Sequence, residues 1–474
     1  RNILCNMEII NNQYMERIEK DTLGEVIVDS DKMWGAQTQR AYKNFEFSLF
    51  PMPMEIIYAL AIVKKAAAAA NADLGALPEE KASLIIKACD EIIAGEYDDQ
   101  FPLLIWQSGS GTQTNMNMNE VIANIAHIIN GGDIMDTKKT LHPNDDVNRS
   151  QSTNDVFPTA VYIACAKVIY EHTLPALVTL QSSLQQKADE FMDVVKIGRT
   201  HLMDATPVTL GQEFSAFASQ IKHCINYIKD AVESLSVLAI GGTATGTGIN
   251  TPPGFDIKAV EYINTFSGYK FCVSENKFES LAIHDAIVHA SAALNTTAMS
   301  LFKIANDIRL LASGPRCGIG EILIPSNEPG SSIMPGKVNP TQCEAVTMAC
   351  TKIFGNNATI GFANSQGHFQ LNVFKPLLGY CLIESARLLA EASHSFTVHC
   401  VDGIEPNINN INHNLDNSLM LVTALSPIIG YDKAASIAKN AHNNGTTLRE
   451  EAIESGFISA EDFDAAINKE KMVL

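Results

Sequence analysis

The sequence predicts a mainly α fold organised around a long central helical bundle. Two apolar stripes at helical spacing predict it. Phe214, Phe217, Ile221, Cys224, Ile228, Ala231, Leu235 and Leu238 recur at intervals of three and four residues, which puts all eight on one helix face. Ile287, Ala290, Leu294, Ala298, Leu301, Ile304, Ile308 and Leu311 form a second stripe of the same kind. Further long helices are expected over about 174–195 and 370–400, longer than the usual globular helix and suited to a bundle.

Three regions follow from the change in texture along the chain. Residues 1–149 mix short helices with loops rich in Asn, Gly and Thr, and include Ala66–Ala70, a good helix former. Residues 150–407 carry the long helical periodicity. Residues 408–474 are short helices broken by Asn and Gly. The long helices are flanked by Ala, Ser and Thr rather than by charge, which predicts a bundle buried further by self-association. Met7 or Met15 is a candidate natural start.

Composition removes several classes. The 474 residues carry 34 basic and 53 acidic side chains, a formal net charge of 34 − 53 = −19. Nucleic acid and anionic membranes are bound mainly through clustered Lys and Arg, so neither is an expected partner. A hydrophobic fraction of 46% with only 18% charged residues argues for a large core and against disorder. The most apolar early segment, Ala59–Ala72, is interrupted by Lys64 and Lys65, so no membrane span is expected. The ten cysteines are dispersed without a C-x-x-C pair, which reads as reduced, mostly buried thiols and gives no support to metal ligation.

Four polar segments interrupt the helical text. Gln107–Asn115 holds Ser108, Ser110, Thr112 and two glycines ahead of a helix expected to begin near Asn117, and suits an oxyanion cradle or a plain helix cap. His142-Pro143-Asn144-Asp145-Asp146-Val147-Asn148, followed by Gln151-Ser152-Thr153-Asn154-Asp155, reads on its own as caps and a loop histidine. Gly198-Arg199-Thr200-His201 through Pro207 lies at one end of the bundle, and His201 becomes functional if a carboxylate sets its tautomer. Gly330-Ser331-Ser332-Ile333-Met334-Pro335-Gly336-Lys337-Val338-Asn339-Pro340, followed by Glu344, concentrates two serines, a lysine and an asparagine in a shaped loop.

This last segment resembles the signature loop of the fumarase/aspartase superfamily. Trp34–Arg40, 107–119, His142–Asn148, Gly198–Pro207, Gly314–Glu321 and Thr341–Glu344 narrow the resemblance to class II fumarases, over about residues 19–472. Histidine at 201, where aspartate ammonia-lyases carry glutamine, points the same way. Thr153 in place of serine, Met203 in place of glutamine and Lys139 in place of arginine are departures. The Ser-Thr-Asn form at 152–154 is the one detail closer to aspartase, the nearest rival. A non-catalytic helical scaffold is the rival from another class.

The resemblance implies a three-domain subunit, a homotetramer with a twenty-helix core, and active sites shared by three subunits. It implies reversible trans hydration of fumarate to (S)-malate without metal or organic cofactor. Ser331, His201, Glu344, Lys337 and Asn339 would be catalytic. Ser110, Gly111, Thr112, Ser152, Thr153, Asn154, Thr200, Ser332, Lys337, Val338 and Asn339 would hold the dicarboxylate. Lys139, His142, Pro143, Asn144 and Asp145 would form a second anion site. Bacterial cytoplasm is the expected compartment, with the mitochondrial matrix as the alternative.

Overall fold

The computed structural model describes residues 15–47, 49–469 and 472–473. Cys5 and Met7 lie outside the described residues. The chain is mainly helical, with four small two-stranded sheets among the described residues, and divides into two compact units.

Unit 1 takes residues up to Glu171, Lys229–Ala292 and Gly355–Arg387. Its axis is the helix Met54–Asp73, which packs against Glu79–Ile93, Thr153–Val168 and Phe255–Ser267. Ala66 to Ala70 are all buried, because alanine lets neighbouring backbones approach from every side. The run Thr153–Glu190 reaches a mean hydropathy of 1.2 over 18 residues. Val156, Phe157, Ala160, Val161, Ile163 and Ala164 within it are core residues. An antiparallel hairpin, Glu16–Asp21 with Gly24–Asp29, opens the unit. It was not expected from helical periodicity, but Glu25-Val26-Ile27-Val28 has the β-branched content of a strand.

Unit 2 takes His172–Ile228, Ala293–Phe354 and Leu388–Leu474. The C-terminal helices Ile408–Asp416, Tyr431–Asn444, Leu448–Glu454 and Ala460–Ala466 contribute to a core of Leu415, Leu421, Leu425, Ile437, Leu448 and Phe463, joined by Ile197.

The second stripe fits the helix Asp285–Leu311 from end to end. The first does not. Its helix is Leu210–Glu233, and Leu235 and Leu238 lie beyond it in a 3-10 turn and a short strand, although both remain fully buried. Ser234 and Ser236 turn their hydroxyls back onto Ala231 O and Glu233 O, each at 2.6 Å, which competes with helix propagation. The helix expected over 174–195 ends at Glu190, because Val194 and Val195 lead into a strand. That expected over 370–400 is Lys375–His399, delayed by Asn372, whose Oδ1 accepts from Phe374 N at 2.8 Å. A further long helix, Thr341–Asn364, spreads its apolar residues around the axis and so shows no stripe.

Candidate active site

In unit 1 the helix placed near Asn117 begins at Thr112, five residues earlier. The Asn-rich first turns disguise it: Asn115, Asn117 and Asn119 are buried and donate to side chains or carbonyls nearby. Gly111 is its N-cap at φ 84°, and a Cβ there would sit 2.4 Å from the Phe157 ring, so only glycine fits. The hydroxyls of Ser108, Ser110 and Thr112 form a chain, 3.0 and 2.7 Å apart. Gln113 Oε1 accepts from Ser108 N, and Gln107 Oε1 accepts from Thr114 N and Oγ1, all at 3.0 Å. These amides clamp both ends of the turn.

Ser152 caps the helix Thr153–Val168 in a capping box, accepting from Asn154 N at 3.2 Å while Asp155 Oδ1 accepts from Ser152 N at 2.9 Å. Cap and candidate ligand are therefore the same residue. Thr153 Oγ1 accepts from Asn115 Nδ2 at 3.0 Å, which ties this segment to the Thr112–Ile129 helix. Asn154 donates its amide to Ala244 O at 2.8 Å. Asp155, wholly buried, accepts from Gly241 N and Thr243 N through its other oxygen.

Around the suggested second anion site, His142 Nδ1 accepts from Asn144 N at 3.3 Å and Asp145 N at 3.1 Å. It thereby caps the single turn Pro143–Val147. Lys139 Nζ donates to Ile134 O at 2.5 Å, and burial pulls its pKa below the usual lysine range.

In unit 2, Val195–Thr200 and Met203–Thr209 pair as an antiparallel hairpin with a bulge between Ile197 and Arg199. His201 and Leu202 form its two-residue turn, at φ 57° and 61°. Two consecutive left-handed non-glycine residues cost roughly 1–2 kcal/mol each, strain of the kind held at functional sites. Thr200 and His201 are both exposed. Beneath them Arg199 donates twice to Glu321, which is fully buried and also accepts from Asn414 Nδ2 at 3.0 Å. Burial acts to raise the Glu321 pKa, but Arg199, Lys196 and Asn414 outweigh it and hold the carboxyl below its ordinary range. Lys196 Nζ lies 3.2 Å from both Glu213 and Glu321.

The signature loop closes on itself through an isolated bridge between Gly330 and Pro335. Lys337 Nζ donates to Asn339 Oδ1 at 2.6 Å. Ser331 is half-buried and its Oγ accepts a long contact from Ile333 N at 3.4 Å, while Ser332, Lys337 and Val338 are exposed. Glu344 stands exposed in the first turn of Thr341–Asn364. Within one chain, among the described residues, His201 and Glu344 make no hydrogen bond or ion pair with each other.

The candidates thus fall into two groups: Ser110, Gly111, Thr112, Ser152, Thr153 and Asn154 in unit 1, and Thr200, His201, Ser331, Ser332, Lys337, Val338, Asn339 and Glu344 in unit 2. Sequence reasoning missed the buried groups that hold them, Asp155 and Glu321 above all, and Glu120, whose carboxylate accepts from Gly35 N, Gln37 N, Thr38 N and Thr38 Oγ1. For Glu120 the available signal was a lone acid inside the otherwise uncharged helical stretch Thr112–Ile129.

Residues 24–355 match the lyase family, and residues 421–473 match the family described as fumarase C C-terminus. A class II fumarate hydratase of Pasteurella multocida is 61% identical over 458 residues, covering 96% of this chain and 98% of the relative. One from Haemophilus influenzae is 62% identical with the same coverage. The crystal structure of class II fumarase from Schistosoma mansoni superposes with a TM-score of 0.94 at 43% identity, covering 97% of this chain and 99% of that one. With both family patterns in order and the likeness extending over nearly the whole chain, this protein belongs to the class II fumarate hydratases.

Proposed function

We propose that this hydro-lyase adds water reversibly and trans across fumarate to give (S)-malate, by general acid/base catalysis through an aci-carboxylate intermediate. In the dehydration direction a base takes the C3 proton and its bonding pair moves into the adjacent carboxylate, which then carries two negative charges. Collapse of that pair forms the double bond and expels the C2 hydroxyl, which leaves as water once protonated. The demanding state is the doubly charged carboxylate, so donors must bind it more strongly than they bind the substrate.

Lys337 and Asn339 suit that task, and the 2.6 Å bond joining them beside Ser331 is the observation that carries the reading. Ser331 is the base on the closing loop, made acidic enough by loop amides, Lys337 and exclusion of water. His201, oriented by Glu344, activates or protonates the departing water. Ser110, Gly111, Thr112, Ser152, Thr153, Asn154, Thr200, Ser332 and Val338 hold the dicarboxylate.

The working unit is a homotetramer in which different subunits supply the separated donor groups. Two observations support it. His201 and Glu344 stand exposed and unlinked in one chain. In unit 2, Met299, Met348 and Val398, on three of the long helices, are 46–68% exposed, apolar side chains that association would cover. Bacterial cytoplasm fits the organisms of the Pasteurella and Haemophilus relatives.

Ser331→Ala tests the assignment. Turnover should fall by about 10²-fold or more while sedimentation still gives the tetramer. Near-normal turnover would remove Ser331 from the mechanism.

A further inference from the structure

Unit 1 buries two lysines beneath its donor segments, and neither takes part in the chemistry of the loop. Lys64 is fully buried within the Ala-rich helix Met54–Asp73, and Lys375 is 1% exposed at the start of Lys375–His399. Lysine is almost never buried to this degree without a charged partner. Lys64 Nζ donates to Asn148 Oδ1 at 2.8 Å and to Gln151 Oε1 at 3.0 Å. The same Asn148 oxygen accepts from Asn115 Nδ2 at 3.2 Å, and Asn115 reaches Thr153 Oγ1. Lys375 Nζ donates to Asn154 O at 3.3 Å, and its backbone N–H donates to Gly109 O at 3.1 Å. The direct partners of both ammonium groups are neutral oxygens within residues 148–154, the segment that carries Ser152, Thr153 and Asn154.

Charge compensation is incomplete. Asp155 is the carboxylate whose field bears on both lysines, and its oxygens already accept from three backbone N–H groups. The other titratable neighbours are neutral. Burial pushes the Cys89 thiol up, and burial with the field of Lys375 holds His284 down to about 3. When both lysines are protonated, two cations face at most one anion inside unit 1, a costly arrangement that a dianion at the hydroxyls would relieve.

We propose that Lys64 and Lys375 are positioning residues that touch no substrate atom but supply, from beneath Ser110–Thr112 and Ser152–Asn154, the positive potential that selects a dianion. This rests on the reading that those hydroxyls hold the dicarboxylate. Burial pulls both lysines down to about 7, and a bound dianion favours their charged form again. The device also explains how an acidic chain binds an acidic ligand: the compensating charge is internal.

The test is calorimetric titration of the full-length enzyme with succinate, a dianion, and with its monoamide, a monoanion. Lys64→Met and Lys375→Met remove charge and donor together. Lys64→Gln and Lys375→Gln remove the charge but keep a donor toward the same oxygens, and they decide the matter if the Met variants do not fold. The expected result is a loss of about 10-fold or more in succinate affinity with a clearly smaller loss for the monoamide, so that the preference for the dianion collapses. A purely structural role would weaken both ligands alike. Equal weakening, or an unchanged preference in the Gln variants, overturns the inference. Fumarate turnover by the unsubstituted enzyme is a separate readout: its absence would overturn the substrate reading, while the ligand preference would still decide the role of the lysines.

Discussion

Arg199 donates both ends of its guanidinium to Glu321, Nη1 to Oε2 at 3.0 Å and Nη2 to Oε1 at 2.7 Å, two residues before His201 in the hairpin turn. The pair fixes the base of a strained turn from a fully buried acid. Glu321→Gln leaves Lys196 and Arg199 short of their counter-charge. Breaking a buried pair from one side costs about 3–5 kcal/mol, which denaturant unfolding will read as a lower midpoint. Turnover should fall as well, by up to about 10²-fold, because His201 loses its placement. Unchanged stability would mean that the pair is not closed in solution.

The two glycines of the signature loop are not equivalent. Gly330 has φ 89°, and a Cβ there would lie 2.1 Å from Lys337 O; Gly336 has φ 79° with open space around it. Gly336→Ala should cost only the left-handed strain of roughly 1–2 kcal/mol. Gly330→Ala must also push the loop apart at Lys337, so its turnover should drop well below that of the Gly336 variant. Equal kcat in the two variants would contradict the loop geometry.

Asparagine tolerates the left-handed conformation that His201 adopts, so His201→Asn should fold normally. Its turnover is expected to fall by about 10²–10⁴-fold. A variant with near-normal turnover would clear His201 of any catalytic role.

His284 gives unit 1 an acid sensitivity. It is fully buried against Tyr162, whose hydroxyl lies 3.2 Å from Nδ1, and burial with the field of Lys375 holds it down to about 3. Between pH 6.5 and 3 the unfolded chain binds a proton there that the folded chain refuses. Stability therefore rises with pH through that window and is lost as pH falls, by up to about 1.4 kcal/mol per pH unit. Tm measured from pH 7 to pH 4 should fall less steeply in His284→Gln than in the unsubstituted protein. Parallel curves would refute the assignment.

What the sequence made legible was whatever has a period or a motif. The Ile287–Leu311 stripe marks its helix end to end because every third or fourth residue is apolar. Ser234 and Ser236 end the other stripe early by bonding backwards, a contest that burial alone does not reveal. The loop residues Ser331, Lys337 and Asn339 were legible as a cluster because one short segment carries them all. Lys64 shows in the sequence only as an interruption of an apolar run, and Lys375 carries no local signal, since a lysine in a helix normally faces water. The burial of Lys64 depends on the packing of Met54–Asp73 against three other helices, which no local pattern encodes.

The most direct measurement is the ultraviolet absorbance of fumarate followed in parallel with L-malate and L-aspartate as substrates. Appearance of fumarate from L-malate, its disappearance when fumarate and water are the starting materials, and no product from L-aspartate is the predicted outcome. Fumarate and ammonia from L-aspartate, or no turnover of malate by the intact protein, would contradict it.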